Sequence, residues 1–271
     1  GEGADAPSGL VTRYDADRAV LDAVEVPQAL RDVRGFRGAQ VVALGNGHAA
    51  IVGGPLPAYV RYVDGEGFGA PGLFEARAFH ALVALDDHRV LVAGGCTTLQ
   101  DAGCLAGTGL RSTRVLDVDT GDVVIGPNLS EIRIGGMGWL EAPGRIAIAG
   151  GVDAAGAAIT TVDRIDLGAG TTVVVPAIAG APIALASGGA ILVADVGTTS
   201  SLAPTGAATP LAARPAGTAA ATLALEDGTV WSVGGSVGAR VQAFSPMSGR
   251  WSMATLSGDP LPTSWLRAGA T

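Results

Sequence analysis

The sequence predicts an all-β protein, a six-bladed β-propeller, and three observations carry that prediction. Apolar runs are short; a Gly-Gly pair closes one run after another at intervals that suit propeller blades; and a second hairpin pattern recurs between the pairs. The 271 residues include 42 Gly and 15 Pro, so turns are frequent, and the apolar content is Ala, Val, Leu and Ile rather than aromatic. A chain of this length suits one all-β domain spanning residues 1–271.

The first repeated element is a hairpin ending in glycine. "LGNGHAAIVGG" (44–54), "LDDHRVLVAGG" (85–95), "LEAPGRIAIAGG" (140–151) and "LEDGTVWSVGG" (225–235) each join two apolar strands through a turn of Gly, Asn, Asp or Pro. A fifth copy, "LASGGAILVADV" (185–196), carries Asp195-Val196 in place of the glycines. The marker positions 53, 94, 150, 195 and 234 are separated by 41, 56, 45 and 39 residues. Those are blade lengths.

The second element lies between the markers. "VTRYDADRAVLDA" (11–23), "VLDVDTGDVVI" (115–125), "RIDLGAGTTVVV" (164–175) and "AFSPMSGRWSM" (243–253) are each a strand, a polar turn and a strand, with weaker copies at 60–68 and 201–209. Each unit thus reads as four antiparallel strands, which cannot cover both of their own faces and must stack on neighbours. Complete blades are expected at about 34–74, 75–130, 131–178, 179–212 and 213–257. The sixth is expected to be shared, with outer strands from 1–33 and an inner strand from 258–271, a closure that leaves few free edges. Its second strand has no counterpart in the sequence, so the ring closes on a three-stranded blade or the native chain is longer.

These residues resemble the kelch repeat. The glycine pairs Gly53-Gly54, Gly94-Gly95, Gly150-Gly151 and Gly234-Gly235, the Tyr14-Asp15 dipeptide and the outer-strand Trp251 carry the likeness, which extends over nearly the whole chain. Leu116-Asp117, Ile165-Asp166 and Phe244-Ser245 stand where that family has Tyr-Asp. The resemblance implies a propeller whose loops bind a partner, and basic residues near the inner strands that engage acidic groups.

Charge excludes one class of partner. A net charge of −8, with Arg as every one of its 17 basic residues, gives no basic face for nucleic acid. The longest apolar window, residues 181–197, is broken by Ser187-Gly188-Gly189, so no membrane span is expected.

Candidate site residues are few. Cys96 and Cys104 sit eight residues apart in the insertion that lengthens one interval to 56, and they read as a disulfide pinning a surface loop. Such a bond implies a secreted, periplasmic or cell-surface location. A zinc site would need further ligands at metal spacing, which are missing. Asp86, Asp87 and His88 occupy a hairpin turn, where short polar residues satisfy the turn backbone. "DVDTGD" (117–122) has carboxylates at alternate positions but aligns with the turns of other units and lacks the distal acidic ligand of a calcium loop.

Arg37, Arg77 and Arg133 precede three successive inner strands, the last two in one register and Arg37 one residue off it. They are candidates to receive an anion at one channel mouth; alternatively each pairs with a carboxylate of a neighbouring unit.

No catalytic residue, metal or cofactor is assigned. A galactose-oxidase-like copper site would need converging Tyr and His, whereas Tyr14, Tyr59, Tyr62, His48, His80 and His88 are scattered over the first units, and no Gly-x-Ser-x-Gly elbow occurs. The expectation is an exported binding or scaffold module for an unidentified protein or glycan. The competing expectation is an extracellular enzyme, carbohydrate-active or galactose-oxidase-like, with its site at one end of the channel.

Overall fold

The computed structural model describes residues 10–15, 20–25, 37–45, 47–100, 103–177, 181–185, 188–193, 198–204, 208–214, 221–224, 229–233 and 241–254. Among these residues the fold is all-β, with antiparallel pairing and no helix. An N-terminal hairpin pairs Leu10–Asp15 with Val20–Glu25. Five larger sheets follow. The first comprises Gln40–Ala43, Ala49–Val52, Ala58–Val63 and two short pieces, Gly67–Phe68 and Gly72–Leu73, that both pair with Ala58–Val63. Pro71 explains the split: it has no N–H to give to a continuous ladder.

The second sheet runs Ala81–Ala84, Arg89–Ala93, Thr113–Asp117, Val123–Gly126, and the third Met137–Ala142, Arg145–Ala149, Thr161–Asp166, Thr171–Pro176. The fourth runs Ala181–Ala184, Ala190–Val193, Thr199–Leu202, Ala208–Pro210, and the fifth Ala221–Ala224, Val230–Val233, Val241–Ser245, Arg250–Ala254. Each is a meander of strands in chain order. Residues 258–271, expected in a shared sixth blade, lie outside the described residues, as do Gly1–Ser8, Asp195-Val196 and Gly234-Gly235.

The second strands of the second, third and fourth sheets show why these runs are apolar throughout. Val90, Leu91, Val92 and Ala93 are all buried, as are Ile146–Ala149 and Ala190–Val193. A strand that alternated apolar and polar residues would leave one face wet; a continuous run needs cover on both. The third strands are mixed and the outermost mostly exposed, as in the Thr171–Pro176 strand. Burial therefore falls from the second strand outwards.

The chain falls into two compact units. One holds residues 1–136, 152–157 and 166–172; its core packs the first two sheets together through Val52, Tyr59, Phe74, Val90, Val92 and Leu116. The other holds residues 137–151, 158–165 and 173–271. Its core packs Trp139, Ala147, Val162, Leu192 and Leu202 in one cluster, and Ile183, Ile191, Val230 and Phe244 in a second. Each fully buried Val, Leu, Ile or Phe contributes roughly 1.5–3 kcal/mol, so these clusters carry the fold. No helix among the described residues is long and apolar enough to cross a membrane.

Candidate functional site

Successive sheets of the first unit are joined by a backbone pattern that repeats. The second glycine of each pair donates its N–H to an arginine carbonyl: Gly54 to Arg77 at 2.8 Å and Gly95 to Arg133 at 2.7 Å. The next residue forms a two-way bridge, Ala78 with Cys96 and Ile134 with Val152. The residue after that sits fifteen places before a glycine pair (38 before 53, 79 before 94, 135 before 150) and has positive φ: Gly38 at 72°, Phe79 at 52°, Gly135 at 73°. Phe79 N–H donates to the Gly38 carbonyl, and Gly135 N–H to the Phe79 carbonyl, each at 2.7 Å.

This junction explains the glycine pairs. A β-carbon on Gly53 would lie 2.1 Å from the Arg77 carbonyl oxygen, and one on Gly94 would lie 2.4 Å from that of Arg133. Only glycine lets the backbones approach so closely.

The three candidate arginines fare differently. Arg77 is buried, its Nη1 donating to the Gly94 carbonyl at 3.0 Å and the Ser112 carbonyl at 2.8 Å, its Nη2 to Ser112 Oγ at 2.8 Å and to the Glu75 carboxylate. Its pKa is lowered, by burial first and by the Arg114 charge, against the partial upward pull of Glu75. Arg77 thus clasps the first sheet through its carbonyl and the second through its guanidinium. Arg133 is buried in the same register. Arg37 is exposed and stands one residue later, in the register of Ala78 and Ile134.

His80 lies against this junction, where its ring edge is close to a β-carbon built on Gly53. It is only 1% exposed, and neither ring nitrogen makes a well-formed hydrogen bond. Burial first, then the Arg77 charge, push its pKa down to about 3, against a small upward pull from the Arg77 carbonyl. It is a neutral imidazole at physiological pH.

Asp86, Asp87 and His88 do form a turn. Asp86 Oδ1 accepts the amides of His88 at 3.2 Å and Arg89 at 2.7 Å, and His88 Nδ1 is 2.8 Å from Asp87 Oδ1. Among the described residues this is the group whose three ligand atoms lie within 4.8 Å of one another, so it is where a cation would have most donors. The Asp86 carboxylate is already engaged with the turn amides and Arg89, and Asp87 with His88 Nδ1. In the 117–122 segment, Asp117 Oδ1 likewise accepts the amides of Asp119 and Thr120. Tyr59 is buried beside that turn, and burial with the charges of Asp117, Asp119 and Asp122 raises its pKa. His48 Nδ1 is 2.9 Å from Arg61 Nη2.

The insertion builds a cavity. Cys96 and Cys104 are disulfide-bonded, Cys96 fully buried at the sheet junction and Cys104 half-buried. Between them Leu99–Gln100 pairs with Gly103–Cys104, and backbone bonds from Thr97 to Thr108 and from Leu110 to Gly95 close the loop. Gln100, residues 103–107 and Gly109 of this loop, with Phe79, Ile134 and the 152–156 turn, line a half-open cavity of about 470 Å³. Its walls are chiefly apolar: Phe79, Leu105, Ile134 and Val152 beside glycines and alanines. Asp153 also lines it, but its Oδ1 accepts the amides of Ala155 at 2.8 Å and Ala157 at 2.9 Å.

The sequence pointed to the cysteines of this site and missed Phe79. A signal existed, since Gly38 and Gly135 mark the register that Phe79 breaks, but it needs the junction geometry to be read.

No protein-family model matches the sequence, and no curated protein does. A solved structure does match the fold: a streptogramin B lyase, a β-propeller, aligns with a TM-score of 0.63 at 12% identity, covering 94% of this chain and 78% of that one. The all-β architecture is therefore β-propeller-like.

Proposed function

We propose that this chain is a six-bladed, kelch-type β-propeller exported from the cytoplasm, and that it works as a binding or scaffold module engaging a protein or glycan through its loops. The observation that carries this reading is the cavity of about 470 Å³, within the size range of ligand sites. Binding loops on a rigid scaffold are a common arrangement, and here a disulfide ties the loop to the scaffold. Support for binding over catalysis comes from the lining: its carboxylate, Asp153, accepts two turn amides at Oδ1, and apart from Gln100 the rest is apolar or backbone. Support for export comes from the disulfide, since such bonds persist in oxidising compartments. Glycine pairs packed against neighbouring backbone support the kelch reading.

The experiment places a photo-crosslinking residue at Leu105, inside the cavity, or at Val124, on an exposed outer strand. The expected result is a defined adduct from Leu105 that the cavity-filling Ala155→Trp abolishes and that Val124 does not give. Equal adducts from both positions, or none from Leu105, contradict the reading. Thiol titration of the denatured, unreduced protein should find no free thiol; two would sink the export argument.

A further inference from the structure

Phe79 is the one residue other than glycine with positive φ among the described residues. The conformation belongs to the junction, because Gly38 and Gly135 adopt it in the same register and hydrogen bonds link the three residues. Glycine meets that demand freely, whereas a β-carbon there crowds the backbone. Strained residues held by well-determined surroundings cluster at ligand sites. What Phe79 adds that glycine cannot is a ring, and Phe79 is one of the residues that line the cavity.

The lining also sorts the ligand. Beside Phe79, Leu105, Ile134 and Val152, the polar side chains are Gln100 and Asp153, and Asp153 Oδ1 already accepts two turn amides. A sugar would bury hydroxyls without enough partners, at a cost. An aromatic ring would bury area against apolar walls and meet Phe79 edge-on or offset. An acidic chain of net charge −8, with a carboxylate at the cavity, disfavours an anionic ligand.

We infer that the cavity is a subsite for an uncharged aromatic side chain presented by a protein partner, and that Phe79 determines this preference. The inference rests on the binding reading above and narrows its partner from protein or glycan to protein.

The test titrates the intact chain, followed by NMR, with N-acetyltryptophanamide, its free-carboxylate form and methyl β-glucopyranoside. Wild type should bind the amide, bind the carboxylate more weakly, and bind the glucoside least. Phe79→Gly and Phe79→Ala should both weaken amide binding by about tenfold. Their stabilities should differ in the unusual direction, with glycine the more stable, because only glycine relieves the backbone. Unchanged affinity in either variant overturns the inference, as does an alanine variant as stable as the glycine one. If the glucoside binds best and Ala155→Trp abolishes its binding, the aromatic inference falls and the binding reading stands. If no probe binds and Leu105 gives no crosslink, both fall.

Discussion

The sheet junction and the cavity share one stretch of chain and obey opposite rules. At the junction, Gly54, Arg77, Gly95 and Arg133 recur in register and are buried, so every close approach is made twice. At the cavity, the 96–110 loop and Phe79 occur once, and both depart from the repeat. Phe79 belongs to both regions: its backbone serves the junction and its side chain the cavity. The repeat builds the scaffold, and the departures from it build the cavity.

Alanine substitution of a glycine in each region should separate them most sharply. Gly94→Ala puts a β-carbon 2.4 Å from the Arg133 carbonyl at a φ of 68° and should cost about 4 kcal/mol in urea unfolding. Gly107→Ala, on the cavity wall at a φ of 79° with nothing within 4 Å, should cost only about 1 kcal/mol. Equal costs would erase the distinction.

Arg77→Met comes next. It strands the Gly94 and Ser112 carbonyls, with an expected loss of about 3 kcal/mol. Arg77→Lys should recover little of it, because an ammonium cannot span that fork. Leu105→Ala, in the cavity lining, should stay within about 1 kcal/mol of wild type.

Reducing the Cys96–Cys104 bond should cost about 2.5 kcal/mol by the chain-entropy relation for so short a loop. Calorimetry with and without reductant measures this. The junction bonds should survive reduction, so amides of Gly54 and Gly95 should keep their hydrogen-exchange protection while those of Thr97 and Leu105 lose it.

The smallest effect comes from pH. His80 has a folded pKa of about 3, below the unfolded value of about 6.5, so the unfolded chain takes up the proton first as pH falls. The stabilisation is complete above about pH 6.5 and is lost on the way down to about pH 3, amounting to about 2 kcal/mol between pH 7 and pH 5. Arg77 faces the ring, with Glu75 and Arg114 beside the guanidinium. His80→Gln should flatten this part of the stability profile; an unchanged slope would show that His80 is not its source.

Much of the scaffold was legible in the sequence. Hairpins such as 85–94 announce themselves through polar turns and continuous apolar runs, and the glycine pairs mark where backbones meet. The arginines were harder. Charge and spacing left an anion site and a carboxylate partner both open, and only coordinates reveal that Arg77 spends donors on the Gly94 and Ser112 carbonyls as well as on Glu75. The cysteine loop was visible as an insertion. The cavity was not, because it depends on residues 79, 134 and 152–156, far apart in sequence, meeting that loop. His80 reads as an ordinary polar residue until its burial is known.

The central claim, that the departures from the repeat make the binding site, is tested most directly by mapping where an aromatic probe touches the protein. N-acetyltryptophanamide titrated into methyl-labelled chain should shift Leu105, Ile134 and Val152 together, with one saturation curve. Val52 and Val92, in the core between the first two sheets, should not move. Shifts spread evenly over both sets, or confined to methyls away from the cavity, would contradict the account.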